Sequence, residues 1–424
     1  MNAPLNAPRT AAKSSPTYIL GGHQSDFAKV WSRQGQDLSD MMRESAQAAL
    51  DQAQVDASSV QSIHVGNAFG ELQRKQAHLG AMVAQVLPAL WGVPAMRHEG
   101  ACASASLAVL TAMAEIEAGR YDCVLVVGAE EFKNLPGDEA SQNQNAAAWQ
   151  GHEDIDCRFM WPAAFGLLAA EYQKRYGLDR RHLNRIAELN YGHARQNPLA
   201  QTRKWKFDAL AFTDDDEANP VIEPGTRRQD CGQITDGACS VVLASAAFAA
   251  EHARRCGITL DSLPHISGWG HRNAGLRLKD KFERSQNEAL VFPHVRQAIE
   301  DAWRRAGVAG IDAIDGIETH DCFTMTEYMA IDHFGLTPPG QSWQAVEDGS
   351  IDAGGRCPVN LSGGLIGCGH PVGATGARML WDAARQVSGA AGAAQIDAAR
   401  RVQTLNIGGS CATVVSFVVE AGTA

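Results

Sequence analysis

Hydrophobic positions along the chain fall into two kinds of stretch. Leu38 to Gln54 repeats its apolar residues with helical period, and the strand-like run Val60-Gln-Ser-Ile63-His-Val65-Gly follows it. Val295 to Ala306 is a second helical stretch, followed by Ile314-Asp-Gly-Ile317-Glu-Thr. Near-continuous apolar runs also occur at Val124–Val127, Cys239–Ala244 and Ala412–Val418. Short runs of this kind suit strands buried on both faces. Their alternation with helices predicts mostly parallel sheets covered by helices.

The pattern repeats. Setting Ile63 on Ile317 also sets Val60 on Ile314 and Phe69 on Phe323. The run Arg120-Tyr-Asp-Cys-Val124-Leu-Val-Val127-Gly128 resembles Arg400-Arg-Val402-Gln-Thr-Leu405-Asn-Ile407-Gly408, and Cys239-Ser-Val241-Val-Leu243-Ala resembles Ala412-Thr-Val414-Val-Ser-Phe417-Val. Three echoes in one order indicate an internal duplication. The predicted fold is α/β, two halves stacked as α/β/α/β/α. From about Glu131 to Gln229 the pattern breaks into polar runs such as Asp214-Asp-Asp-Glu and the basic pairs Arg203-Lys204 and Arg227-Arg228. The expected organisation is a disordered tail (1–17), a first half (18–130 plus 230–270), an inserted cap over the active site (131–229) and a second half (271–424).

Composition narrows the function classes. The net charge of −11 argues against a general binder of nucleic acid or of an anionic membrane. It leaves room for an anionic ligand held by a local basic patch. No stretch is apolar and long enough for a signal peptide or a membrane span. The ten cysteines show no Cys-x-x-Cys spacing, so they read as free thiols in a cytoplasmic protein rather than as a zinc site or disulfide framework.

Three segments carry chemistry. His98-Glu-Gly-Ala-Cys102-Ala-Ser104 precedes an Ala/Leu-rich helical run. A thiol there meets free N–H groups and the positive end of a helix, which favour a thiolate and an oxyanion. The bland alternative is a buried small hydrophobe. His370 lies in Gly369-His370-Pro371-Val-Gly373-Ala-Thr-Gly376, where the proline holds it extended at the mouth of another helix. It is placed to take the proton of Cys102 or simply to bond its own loop. His320-Asp321-Cys322-Phe323 ends the Ile317 strand, on the sheet edge where ligands bind in such folds.

Over about Tyr18 to Glu420 the chain resembles the thiolases. The resemblance rests on the Cys102 segment, Asp236-Gly237-Ala238, Gly369-His370-Pro371 and Asn406-Ile-Gly408-Gly409. His-Asp-Cys-Phe marks the sterol-carrier-protein-type branch, where other thiolases carry Asn-Glu-Ala-Phe. Asn190-Tyr-Gly-His193-Ala-Arg-Gln-Asn197-Pro198 resembles the cap of that branch. The second cysteine of common thiolases is replaced here by Asn406, so Cys322 is expected in its place.

The resemblance implies a duplicated thiolase fold and a reversible Claisen exchange between acyl-CoA and acetyl-CoA. Cys102 would carry the acyl group, with His370 as base. Cys322 would move the α-proton, and His320 with His370 would hold the enolate. The N–H groups of Cys102 and Gly408 would hold the tetrahedral oxyanion. Arg203, Lys204, Lys206, Arg227 and Arg228 are candidate contacts for CoA, which is a substrate; no permanent cofactor or metal is expected. Phe159, Met160, Trp161 and Phe165 are candidates for an acyl pocket, and Glu327 for orienting His320 or assisting Cys322. Cys368 and Cys411 read as structural. A homodimer or tetramer is expected, and a small zinc-binding OB-fold partner protein is compatible with the chain. The competing readings are a retro-aldol lyase, which would not need Cys102, and a non-enzymatic lipid-binding protein.

Overall fold

The computed structural model describes residues 16–421. Its strands in chain order are β1 (Thr17–Gln24), β2 (Ser62–Gly66), β3 (Ala95–His98), β4 (Cys123–Glu130), β5 (Val221–Glu223), β6 (Thr226–Arg227), β7 (Gly237–Ala244), β8 (His265–Asn273), β9 (Gly316–Thr319), β10 (Arg401–Gly408) and β11 (Thr413–Glu420). All but the β5–β6 hairpin form one ladder in the order β3-β2-β4-β7-β1-β8-β11-β10-β9.

The joint in that ladder is short. β1 meets β8 only through Thr17–Ile266 and Tyr18–His265. Read outward from it, the two blocks match. β1, β7 and β4 run antiparallel in turn, and β4, β2 and β3 are parallel. β8, β11 and β10 run antiparallel in turn, β10 and β9 are parallel, and an Ile317–Val359 bridge stands where β3 stands in the first block. The echoes therefore mark a true duplication. The expectation of mostly parallel sheets is corrected, because most ladder neighbours are antiparallel. An apolar strand covered on both faces reads the same in either direction, so the pattern carries no information about direction.

Alternation along the strands sorts side chains between layers. Val124 and Val126 of β4, with Val415 and Phe417 of β11, pack into a middle layer with Ala108, Val109, Ala112, Leu380 and Ala383. Those last five lie on the helices Ser104–Glu117 and Thr375–Val387. Leu125 and Val127 face outward onto Met41, Met42 and Leu50 of helix Leu38–Ala53. Leu405, Ile407 and Val414 face Val295, Ile299 and Trp303 of helix Pro293–Ala306 on the opposite outer side. The result is five layers, α/β/α/β/α. Close packing of the middle layer requires glycine at its contacts: a Cβ on Gly66 would lie 2.4 Å from Ala105 Cα, and one on Gly376 would lie 2.5 Å from Ser106 N.

The cap is less separate than its polarity suggests. Phe165, Leu168 and Tyr172 of helix Met160–Tyr176, and Leu183 and Ile186 of helix Arg180–Ala194, belong to the same apolar cluster as the second half. Two expected boundaries also move. Thr17 starts β1 rather than ending a tail, while residues 1–15 of that tail lie outside the described residues. β8 pairs along its length with β11, so it belongs to the second half and a boundary at residue 270 cuts through it.

One buried ion cluster ties helix Thr375–Val387 to β9. The Arg378 Nη1 donates to Glu318 Oε2 at 3.0 Å, Asp382 Oδ2 at 2.9 Å and Ser362 Oγ at 2.8 Å, with the arginine fully buried. Removing the cation strands two carboxylates. Arg378→Met should therefore cost about 3–5 kcal/mol of stability, read as a lower urea midpoint; a loss under about 1 kcal/mol would show the cluster to be dispensable.

Candidate active site

Each motif sits where the duplication places a loop. Cys102 lies in the 3-10 turn Ala101–Ala103 that leads into helix Ser104–Glu117. Ala101 before it is held at φ +50°, with its N–H on Glu99 Oε1 at 2.6 Å. His370 follows the π-helical turn Gly364–Cys368 and precedes the turn Val372–Ala374 that opens the other middle helix. His320 and Cys322 sit between β9 and helix Thr324–Phe334.

These loops converge. The Cys102 sulfur and one ring nitrogen each from His320 and His370 lie within 4.8 Å of one another. The two imidazoles meet edge-on, with centroids 5.2 Å apart. Cys102, Cys322 and His370 line one cavity of about 70 Å³, closed by Phe69, Trp161, Phe165, Phe323 and Gly409. Phe69 and Phe323, paired by the repeat, are both in its wall. Of the apolar cap candidates Trp161 and Phe165 reach it, whereas Phe159 and Met160 are not in its lining.

Hydrogen bonds assign the tautomers. Thr375 Oγ1 donates to Pro371 O at 3.0 Å, so it accepts from the His370 Nδ1–H at 2.7 Å. That leaves His370 Nε2 as a bare lone pair. Asn406 Oδ1 accepts from the Ser106 hydroxyl at 2.8 Å, which orients the amide. Its Nδ2 donates to Cys102 O at 3.1 Å and to His320 Nδ1 at 3.2 Å. His320 Nδ1 is thus an acceptor, and the proton resides on Nε2. One histidine is built to receive a proton and the other to donate a hydrogen bond.

Burial keeps every group neutral. It pushes the Cys102 thiol up to about 12, against the Gly409 N–H bonded to the sulfur. The Cys322 thiol goes well above its usual range, first through burial and then through Cys102. Burial, helped by the positive Arg378, lowers His370 to about 3; burial, then His370 and Arg378, lowers His320 well below its normal value. The helix start expected to favour a Cys102 thiolate is outweighed by the loss of solvent. The N–H groups beside the sulfur are those of Cys102 itself and of Gly409 rather than Gly408. Gly408 lines the neighbouring groove instead, and a Cβ there would lie 2.2 Å from Gly100 O.

The basic candidates separate. Arg203 forms a two-pronged pair with Asp26 at 2.8 Å and 2.8 Å. Arg227 binds Asp216 at 2.8 Å and Asn219 O at 2.7 Å. Both are occupied in holding the cap. Lys204 is exposed. Lys206 and Arg228 line a cap groove of about 990 Å³ with Trp205, Phe207, Asp215 and Glu217. Gln229 and Gln233 of that groove flank Gly232, which lines the catalytic cavity.

Glu327 touches neither His320 nor Cys322 in the hydrogen-bond network. Its Oε2 accepts from Asn190 Nδ2 and Asn360 Nδ2, both at 2.6 Å, tying a cap helix beneath the site. Cys368 and Cys411 are fully buried outside the cavity lining; Cys368 Sγ accepts from Gln24 and Asn197. The role of Asn406 was missed, although an amide inside the run Leu405-Asn406-Ile407 is a signal of its own.

Known proteins resemble this chain in sequence and in fold. The thiolase N-terminal domain model matches residues 17–210, and the thiolase C-terminal domain-like model matches 278–421. The chain belongs to the thiolase family. It is 28% identical to an acetyl-CoA acetyltransferase of Methanothermobacter thermautotrophicus, over 94% of this chain and 98% of that one. It is also 28% identical to human sterol carrier protein 2, over 97% of this chain and 73% of the relative, in keeping with the His-Asp-Cys-Phe branch. Among solved structures, an Ltp2-ChsH2(DUF35) aldolase matches with a TM-score of 0.76 at 19% identity, over 97% of this chain and 99% of that one. Human mitochondrial 3-ketoacyl-CoA thiolase in complex with CoA matches at 0.67 and 14% identity, over 97% and 99%. Among the described residues no helix of this thiolase is long and apolar enough to cross a membrane.

Two measurements check this electrostatic picture. Burial, then the adjacent Asp321, pushes Glu327 up to about 8 from an ordinary value of 4.5. A carboxyl that holds its proton more tightly when folded stabilises below the unfolded pKa, and that contribution is lost as pH rises through the folded one. Glu327→Gln should therefore flatten the fall in Tm between pH 4.5 and about pH 8; an unchanged slope would contradict the assignment. In ¹⁵N spectra His320 should show a protonated Nε2 and a bare Nδ1, and Asn406→Asp, an acceptor at the same place, should reverse them.

Proposed function

We propose that this thiolase performs the reversible Claisen exchange, 3-ketoacyl-CoA plus CoA to acyl-CoA plus acetyl-CoA. The observation that carries the reading is the meeting of two thiols from different halves with a base-type histidine in one cavity, and of a donor-type histidine packed against Cys102 and His370. In thiolysis the Cys102 sulfur attacks the 3-keto carbon while His370 Nε2 takes its proton. The resting thiol and imidazole are both neutral, so charge appears only as the S–C bond forms. The Gly409 N–H lies beside the sulfur, where the tetrahedral oxyanion develops.

Cleavage of the C2–C3 bond leaves acetyl-CoA as an enolate. The His320 Nε2–H suits its oxygen, and the Cys322 thiol, protonated at rest, gives its proton to C2. The proton that His370 took from Cys102 passes to the Cys322 thiolate, which returns both groups to neutral. CoA then attacks the Cys102 thioester, gives its thiol proton to His370, and leaves as acyl-CoA while that proton returns to the Cys102 sulfur. In the synthetic direction the high pKa of Cys322 makes its thiolate a strong base for a weakly acidic α-carbon. The cap groove supports a CoA site: Trp205 and Phe207 offer faces to the base, and Lys206 and Arg228 offer charge to the phosphates. These two replace Arg203 and Arg227 as the residues to test. All ten cysteines are free, which supports a reducing compartment such as the cytoplasm.

The likeness to the aldolase structure favours a second reading, cleavage of a 3-hydroxyacyl-CoA by retro-aldol chemistry. That route needs no nucleophile, and the Cys102–His370 pairing speaks for the first reading. Incubation with acyl-CoA should leave an acyl group on Cys102, seen by mass spectrometry and absent in Cys102→Ala. His320→Ala should slow thiolysis about 100-fold or more while loading of Cys102 falls far less. Retro-aldol activity that survives Cys102→Ala would overturn the proposal.

A further inference from the structure

The turn that carries the Gly409 N–H is held by groups outside the catalytic cavity. Residues 409–412 join β10 to β11, and Ala412 N–H to Gly408 O at 3.0 Å and Cys411 N–H to Gly409 O at 2.9 Å close the turn. Gly409 and Cys411 both take left-handed backbone, at φ +59° and +60°. That conformation is unfavourable for a cysteine and persists only where the surroundings impose it. Lys281, on helix Leu278–Arg284, reaches the turn. Its ammonium donates to Ser410 Oγ at 3.0 Å, to Gly275 O at 2.7 Å and to Leu276 O at 2.7 Å. Ser410 Oγ in turn donates to Leu276 O at 3.1 Å. The lysine is buried, 5% exposed. Burial lowers its pKa to about 8, opposed by Cys411, Glu153 and Asp280. Near neutral pH it is thus still an ammonium, with one hydrogen for each of three acceptors. His294 Nε2 adds a bond to Cys411 O at 2.8 Å.

We propose that Lys281 is a positioning residue for acyl transfer, which through Ser410 aims the Gly409 N–H at the oxyanion formed on the Cys102 thioester. The inference rests on the thiolase reading. Burying a cation against neutral oxygens is unfavourable compared with packing an apolar side chain in the same place. The ammonium supplies what an apolar group does not, three donors at once. Two fix it to the Gly275–Leu276 backbone, and the third grips the residue next to Gly409. Gly409 has no side chain by which it could be fixed, so the direction of its N–H depends on its neighbours in the turn. Lys281 is absent from the cavity lining and acts only through Ser410.

The test reads the acyl-enzyme itself. The full chain is loaded with an acyl-CoA carrying a ¹³C carbonyl, and the stretch of the thioester carbonyl on Cys102 is recorded by infrared difference spectroscopy. In the wild type the Gly409 N–H should pull this band below its position in free acyl-CoA. Lys281→Met and Ser410→Ala should each return the band toward the free value and slow acylation of Cys102 about 10- to 100-fold. The KM for acyl-CoA should change by less than about threefold. Ser410→Thr, which keeps the hydroxyl, should retain both the band and the rate. If Lys281→Met does not fold, Ser410→Ala decides by itself. An unchanged band in Ser410→Ala, whether or not acylation slows, overturns the positioning role and leaves the thiolase reading standing. Absence of any acyl group on wild-type Cys102 overturns the thiolase reading, and the positioning role with it.

Discussion

Asn406 points its amide across the seam between the two halves of the molecule. It hangs from β10 of the second half, accepts from Ser106 of the first, and donates to the Cys102 carbonyl and to His320 Nδ1. A single side chain thus sets the register of the nucleophile turn and the tautomer of the donor histidine. Because its two hydrogens are committed, neither can rotate independently. The geometry of the site follows from this: His320 must present an N–H, and His370, held through Thr375, must present a lone pair.

Loss of solvent is the other constraint. The two thiols and two imidazoles of the candidate site lie between packed layers, so charged forms of all of them are disfavoured. That explains two thiols held protonated and two imidazoles held neutral, with the buried Arg378 reinforcing the latter. A neutral thiol beside a neutral imidazole is the resting state that burial favours. The same low polarity raises Glu130 to about 7, whose oxygens accept from Ala68, Phe69 and Gly373 and join the Cys102 side to the Gly-His-Pro loop.

The inserted segment contributes Gln144, Ala147, Trp161 and Phe165 to the cavity lining. Its helices share the second half's core through Phe165, Tyr172 and Ile186, and Phe165 stacks on Phe323 at 4.7 Å. A cap anchored this way delivers Trp161 and Phe165 to the cavity as fixed walls. The groove in the cap carries charged and aromatic groups, and the one beside Ala101 mixes Leu72 and Leu276 with Glu71, Arg97 and Glu99.

Much of this was legible in the chain itself. Local pattern determined the strands, the duplication and the loops bearing Cys102, His320, Cys322 and His370, because period and glycine placement are properties of neighbouring residues. Strand direction, the place of β8 in the second half and the partners of Arg203 and Arg227 came only from the tertiary structure. So did the choice of Gly409 over Gly408 and the suppression of the Cys102 thiolate. Each of these depends on which groups, hundreds of residues apart in the chain, approach within a few ångströms and exclude water, and no local pattern encodes that distance.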